Sequence, residues 1–223
     1  MKKIRVFISG QKYFGEKVLS LCSQLDYVEV VGVCAPLGDK YVAKTAHIFN
    51  IPIVPAGTLK ADTLPDNVDV GITAHSFDYI GTRTRYKAKI GWIGYHPSLL
   101  PRHRGRSSIE WALKMRDAIT GGTVFWLNGG IDRGDIAYQE ICFIDPKMYA
   151  MDSKKAAKLL WEHELQDMGL KLIEKALLDI SNGIIIKRPQ KKEFSTFEPN
   201  TDVKDVFKPD LLMLEQGSGL NKV

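Results

Sequence analysis

Cysteine is scarce in this chain: Cys22, Cys34 and Cys142 are the only three in 223 residues. They stand far apart, with no Cys-x-x-Cys pair and no His-x₃-His spacing. Neither a disulfide framework nor a zinc site is expected, no metal is implied, and a reducing, cytoplasmic setting fits best. Apolar runs long enough to span a bilayer are missing too. Met1-Lys2-Lys3-Ile4-Arg5 passes directly into a strand-like run with no secretory core. There are no internal repeats or low-complexity tracts. No Gly-x-Gly-x-x-Gly follows the first strand-like segment, which argues against a dinucleotide-binding dehydrogenase. Neither sign of charge dominates: Lys+Arg 31 against Asp+Glu 26 leaves +5. That balance suits an anionic small molecule and is weak evidence for nucleic acid.

What is present is globular. Hydrophobic residues make up 44% and charged residues 26%, and the length suits one domain with a tail. Short β-branched runs at Ile4–Ser9, Val28–Cys34, Ile51–Val54, Asp69–Ala74 and Ile90–Tyr95 read as buried strands. Helical spacing separates several of them, as in Phe14, Val18, Leu19, Cys22 and again in Tyr41–Asn50. Such alternation predicts an α/β, Rossmann-like fold, a mostly parallel twisted sheet with helices on both faces. Gly121–Leu127 and Ile136–Ile144 read as two further strands. Asp152 or Ser153 starts the longest helix, whose Trp and Met residues read as core and which ends at Asn182-Gly183. We place the catalytic domain at 1–185 and a polar C-terminal tail at 186–223. Phe194, Phe197 and Phe207 are expected to cover apolar surface, and 217–223 to be disordered.

Two segments carry chemistry. In Tyr95-His96-Pro97-Ser98-Leu99-Leu100-Pro101-Arg102-His103-Arg104-Gly105 a strand ends in a histidine and enters a basic, Pro/Gly-punctuated loop. Ligands of open α/β sheets bind at such carboxyl edges, although a lone His96 can equally close a turn. Ser107-x-x-Glu110 reads as a capping box that aims a helix N-terminus, with Arg104 and Arg106, at the loop. The second segment, Asn128-Gly129-Gly130-Ile131-Asp132-Arg133-Gly134-Asp135, is too glycine-rich for a plain hairpin. Asp132 between its glycine breaks is the better site candidate there, and Asp135 is a turn stabiliser.

Together these segments resemble the formyltransferase family that uses 10-formyltetrahydrofolate. Ser-Leu-Leu-Pro-x-x-Arg-Gly is its signature, and Ile131-Asp132-x-Gly134-Asp135 stands at the family's distance from it. The wording is nearest to the hydrolase domain of the 10-formyltetrahydrofolate dehydrogenases, which also resembles Ser9-Gly10-Gln11 and Phe14-Gly15. The resemblance covers roughly 3–185. It implies that His96 and Asp132 are catalytic, acting on a tetrahedral oxyanion and moving its proton. It implies a folate pocket from Phe77, Asp78, Tyr79, Ile80, Gly81, Gly94, Ser98, Leu99 and Leu100, with Gly130 and Ile131 as the far wall. Gly10, Gln11, Lys12 and Arg104 stand where an acceptor substrate is expected. One position departs from the family: most members carry Asn two residues before the histidine, and here it is Gly94. Either a water in the vacated space, a backbone amide or Asn128 supplies the missing donor, or the reaction is slower or different.

The expected activity is therefore formyl transfer from 10-formyltetrahydrofolate to a small amine. Hydrolysis of the donor is an alternative. So is a methionyl-tRNA formyltransferase-like enzyme without its C-terminal domain, with tRNA disfavoured, and so is a catalytically weak folate-binding relic. Glycinamide ribonucleotide formylation is disfavoured because Gly10-Gln11-Lys12-Tyr13 lacks that branch's Gly-Ser-Asn loop.

Overall fold

A computed structural model describes residues 3–76 and 78–198. Seven strands form one sheet in the order β3-β2-β1-β4-β5-β6-β7. They are β1 (Ile4–Gly10), β2 (Val28–Ala35), β3 (Ile53–Pro55), β4 (Val70–Ala74), β5 (Gly91–His96), β6 (Ile119–Trp126) and β7 (Ile136–Phe143). β1 to β5 are mutually parallel, whereas β6 and β7 run antiparallel. The chain winds from β1 outward to β3, then returns to lay β4 on the other flank of β1. The strand order thus reverses between β1 and β4, where an open sheet leaves its crevice. Gly10 closes β1 there, and a Cβ on it would lie 2.7 Å from the Ala74 carbonyl oxygen. The two strand ends therefore approach too closely for a side chain.

Helices α1 (Lys12–Gln24), α5 (Ser153–Leu160) and α6 (Gln166–Ser181) bury their apolar faces on one side of the sheet. A thinner layer covers the other side. Leu59, Leu64, Val68, Ile80 and Ala88 close over Phe7 and Trp92 beside the short helix α3 (Thr82–Lys87). Trp92 is seated there because Gly71 on β4 has no side chain: a Cβ would fall 2.1 Å from the indole ring. α2 (Val42–Ile48) and α4 (Ser108–Lys114) complete the set. Among the described residues no helix is long and apolar enough to cross a membrane.

Three local expectations need correction. The long helix is broken by one π-helical turn, Trp161–Leu165, between α5 and α6. There the Tyr95 hydroxyl donates to the Leu165 carbonyl at 2.6 Å, and its ring fills the space beside Gly169. The Asp152 carboxylate caps the start of α5 through the Lys155 amide, as read. Ser107 makes no side-chain cap on α4. It holds a left-handed backbone (φ 60) rather than the extended one usual at an N-cap. The C-terminal segment lies along the domain: Arg188 pairs with Ile136 and Phe197 with Arg104 as strand-like bridges. Phe194 and Phe197 are themselves exposed, while Phe207 and 217–223 lie outside the described residues.

Candidate active site

His96 is the last residue of β5, and its ring is buried to 7% exposure. Its Nε2 donates to the His103 carbonyl at 2.7 Å. A carbonyl only accepts, so Nε2 carries the hydrogen, and the neutral ring keeps its lone pair on Nδ1. Nδ1 faces Asp132 Oδ2 at 3.7 Å, and that same oxygen accepts the Gly105 amide at 2.7 Å. One carboxylate oxygen therefore joins the signature loop to the glycine-rich loop. Asp132 reaches this place from a left-handed backbone (φ 49). Next to it, Gly134 passes so close to the Trp126 carbonyl that no Cβ fits.

The pair stands between two clefts. The first, of about 200 Å³, is lined by Thr73, Asp78, Tyr79, Ile80, Gly130, Ile131 and Asp132, with Phe125, Leu127 and Asn128. Apolar walls with a few polar groups suit a flat heteroaromatic ring with a hydrogen-bonding edge. The second, of about 520 Å³, opens on the other side of His96. It is lined by His75, Tyr95, Arg106, Glu110, Lys158 and Trp161 among others. His75 and Trp161 were missed in the sequence. His75 sits just past β4 in a left-handed conformation (φ 56), and partial burial and then Lys12 push its pKa below the ordinary value. Trp161 packs against the core, as read, and also lines this cleft.

The folate set divides. Asp78, Tyr79, Ile80, Gly130 and Ile131 gather at the first cleft as expected. Asp78 also accepts the Gly57 amide and the buried Cys34 thiol, and that thiol's pKa is pushed up to about 12, by burial first and by Asp78 second. Gly81 is the N-cap of α3. Ser98, Leu99 and Leu100 serve elsewhere. The fully buried Ser98 donates to the Arg102 carbonyl, the Leu100 amide donates to Thr123 Oγ1, and Leu99 packs against Gly121. They hold the loop to β6. Phe77 lies outside the described residues.

Gly94 is buried and leaves no space for a water of side-chain size. A Cβ there would lie 2.5 Å from Thr73 Oγ1 and 3.1 Å from Leu127 Cδ1. Thr73 is its partner in the β4–β5 register and fills the position. Asn128 lines the first cleft, and its Oδ1 accepts the Gly130 amide.

Of the acceptor set, Gly10 and Gln11 line a third cleft of about 350 Å³ with Gly57 and Asp78. Lys12 takes a left-handed backbone, and its amide donates to Asp39. Arg104 was expected at the acceptor substrate. It is instead buried, and its Nε and Nη2 both donate to Gln190 Oε1, at 3.1 and 2.6 Å. Gln190 Nε2 in turn donates to the carbonyls of Asp132 and Gly134.

Known proteins resemble this chain in sequence and fold. The family model described as formyl transferase matches residues 2–165. A mitochondrial 10-formyltetrahydrofolate dehydrogenase of Mus musculus is 31% identical over 211 residues, covering 88% of this chain and 22% of its own length. The chain thus spans about a fifth of such relatives. A methionyl-tRNA formyltransferase of Buchnera aphidicola is 25% identical over 221 residues, covering 93% of this chain and 68% of its own. Among solved structures, an N-formyltransferase from Helicobacter canadensis, in complex with folinic acid and dTDP-3-aminofucose, shares the fold. Its TM-score is 0.69 at 19% identity, with 90% of this chain and 72% of that one covered. A conserved fold, a matching family model and two joined signature loops lead to one assignment: the chain belongs to the formyl transferase family.

Proposed function

We propose that this enzyme transfers the formyl group of 10-formyltetrahydrofolate to a small amine that carries an anionic group. As a formyl transferase it works with a folate-borne formyl group; the donor's exact form, the acceptor and the residue roles are our reading. The observation that carries it is the His96–Asp132 pair standing between two clefts. The first cleft takes the pterin ring, and the second, with Arg106 and Lys158 on its wall, takes the acceptor.

The neutral His96 ring has its lone pair on Nδ1. As the amine nitrogen bonds to the formyl carbon, Nδ1 takes the amine's proton. The resulting imidazolium lies between the Asp132 carboxylate and the new oxyanion and favours both charges. Collapse breaks the carbon–N10 bond, and the same proton passes to N10 of the departing folate. The Gly105 amide keeps Asp132 Oδ2 on the His96 side throughout.

The test is incubation with 10-formyltetrahydrofolate, following the folate product with and without a panel of phosphorylated and uncharged amines. Turnover only with an anionic amine is the expected result. Turnover without amine identifies a hydrolase, and binding without turnover removes the catalytic reading. His96→Ala is expected to lower kcat by roughly 10²–10⁴ while donor affinity stays near wild type. Asp132→Asn, which keeps the shape and removes the charge, should fall by a similar order. A wild-type rate in either variant would remove that residue from the mechanism.

A further inference from the structure

The signature loop owes its shape to residues almost a hundred positions downstream. His103 holds a left-handed backbone (φ 53) that only a few non-glycine residues adopt. This conformation aims its carbonyl at His96 Nε2. Three contacts hold it. The His103 amide donates to Thr196 Oγ1 at 2.8 Å. Its ring Nε2 donates to Asp117 Oδ2 at 2.8 Å. Its ring Nδ1 faces Glu198 Oε1 at 3.2 Å. Around it, the Arg104 amide donates to the Thr196 carbonyl, and the Thr196 amide to the Pro101 carbonyl.

His103 Nε2 is thus hydrogen-bonded to one carboxylate, and Nδ1 lies within ion-pair distance of a second without hydrogen-bond alignment; carboxylates only accept. The ring fits this slot as the doubly protonated cation. It is 2% exposed, and Glu198 is 4% exposed. Arg102 Nη2 reaches both Asp117 oxygens, at 3.1 and 3.2 Å. The cluster therefore balances two positive charges against two negative ones. A neutral His103 would set a nitrogen lone pair against one of the carboxylates in a dry site, and that contact would open.

We propose that His103 is a charged positioning residue and that Glu198, with Thr196, makes the C-terminal segment a working part of the active site. Through the His103 carbonyl this clamp fixes which nitrogen of His96 carries the hydrogen, and so leaves Nδ1 as the base. The inference rests on His96 being the catalytic histidine. Neither His103 nor Glu198 touches substrate in this reading; both act through His96.

The decisive variant is Glu198→Gln in the full chain, read by two measurements. The first is the pH profile of kcat. Without the Glu198 charge the His103 cation is less favoured, so the alkaline limb of kcat should move at least one pH unit lower. KM for the formyl donor should change less than twofold, because the residues lining its cleft are untouched. Glu198→Asp, which keeps the charge, should restore most of the profile. The second is the ¹⁵N spectrum of His96, assigned by its loss in His96→Ala. Wild type should show hydrogen on Nε2, and Glu198→Gln a mixture of tautomers above the shifted limb. This measurement needs no turnover, so it decides the proposal even if formyl transfer is not the activity. Thr196→Val, which removes the acceptor for the His103 amide, should reproduce the mixture if Glu198→Gln folds poorly. A lower melting temperature or lower kcat with an unchanged pH profile and His96 tautomer would make the clamp merely structural and overturn the proposal.

Discussion

Gly94 shows how one missing side chain is taken up by its neighbour. The β4–β5 register sets Thr73 beside it, and the Thr73 hydroxyl lies 2.5 Å from where a Cβ would stand. Thr73 also lines the first cleft, and its hydroxyl donates to the Ile93 carbonyl. Installing the amide is accordingly a packing problem before it is a chemical one. Gly94→Asn should cost about 1–3 kcal/mol, as overpacked cores do, and lower Tm by several degrees in a domain of this size. Combining it with Thr73→Gly should recover most of that loss, because the two changes share one space. Thermal melts of both single variants and the double variant decide it; a Gly94→Asn protein that melts with wild type defeats the packing account. The sequence named His96 and Asp132 because their chemistry is written in local motifs. It placed Arg104 at the acceptor substrate because nothing nearby in the sequence competes for the guanidinium. Its actual partner, Gln190, is 86 positions away.

Elements were legible in proportion to how local their causes are. The five parallel strands follow from apolar runs bounded by turn residues, and their boundaries moved by only a residue or two. Strand direction is not encoded in such runs, so the antiparallel edge of β6 and β7 appeared only in the structure. The π-helical turn was equally hidden: the Leu165 carbonyl at its end accepts from Tyr95, which lies 70 positions away in the sequence. The C-terminal segment is tied into the catalytic domain. The first cleft's lining residues all precede it. Yet the Trp126 indole donates to the Ile186 carbonyl, Arg188 pairs with Ile136, and Gln190 holds the loop that carries Asp132. A chain ending at Ile185 is therefore expected to lose turnover even where it still binds 10-formyltetrahydrofolate. Gln190→Ala, a milder change, should lower kcat about tenfold, within the range a loosened catalytic group costs, and leave donor affinity within twofold. Steady-state kinetics beside equilibrium binding separate the two effects. Equal loss of affinity and kcat in Gln190→Ala would mean that the segment shapes the cleft itself.

For the whole molecule, the buried charge cluster predicts how stability depends on pH. Burial alone pushes His103 down, but its bonds to Asp117 and Glu198 outweigh burial and hold its pKa above the ordinary value. Burial pushes Asp117 and Glu198 up, yet His103 first and then Arg102 or Thr196 hold both below the usual carboxylate range. A histidine raised by folding stabilises fully below its unfolded value of about 6.5 and loses that contribution as pH rises through its folded value. Carboxylates lowered by folding stabilise fully above about pH 4 and lose their contribution as pH falls through their folded values. The cluster therefore contributes most between roughly pH 4.5 and 6.5. His75 works in the opposite sense. Its lowered pKa favours the neutral ring in the fold, so it withdraws stability as pH falls below about 6.5. The two trends overlap, and the melting curve of wild type alone does not resolve them. The difference between wild type and His103→Gln does, because His75 is common to both. That difference in Tm should be largest up to about pH 6.5 and shrink as pH rises through the raised folded value of His103. A difference that stays constant from pH 6 to 10 would mean that His103 is buried as a neutral ring, and that the two carboxylates are held by Arg102 and Thr196 instead.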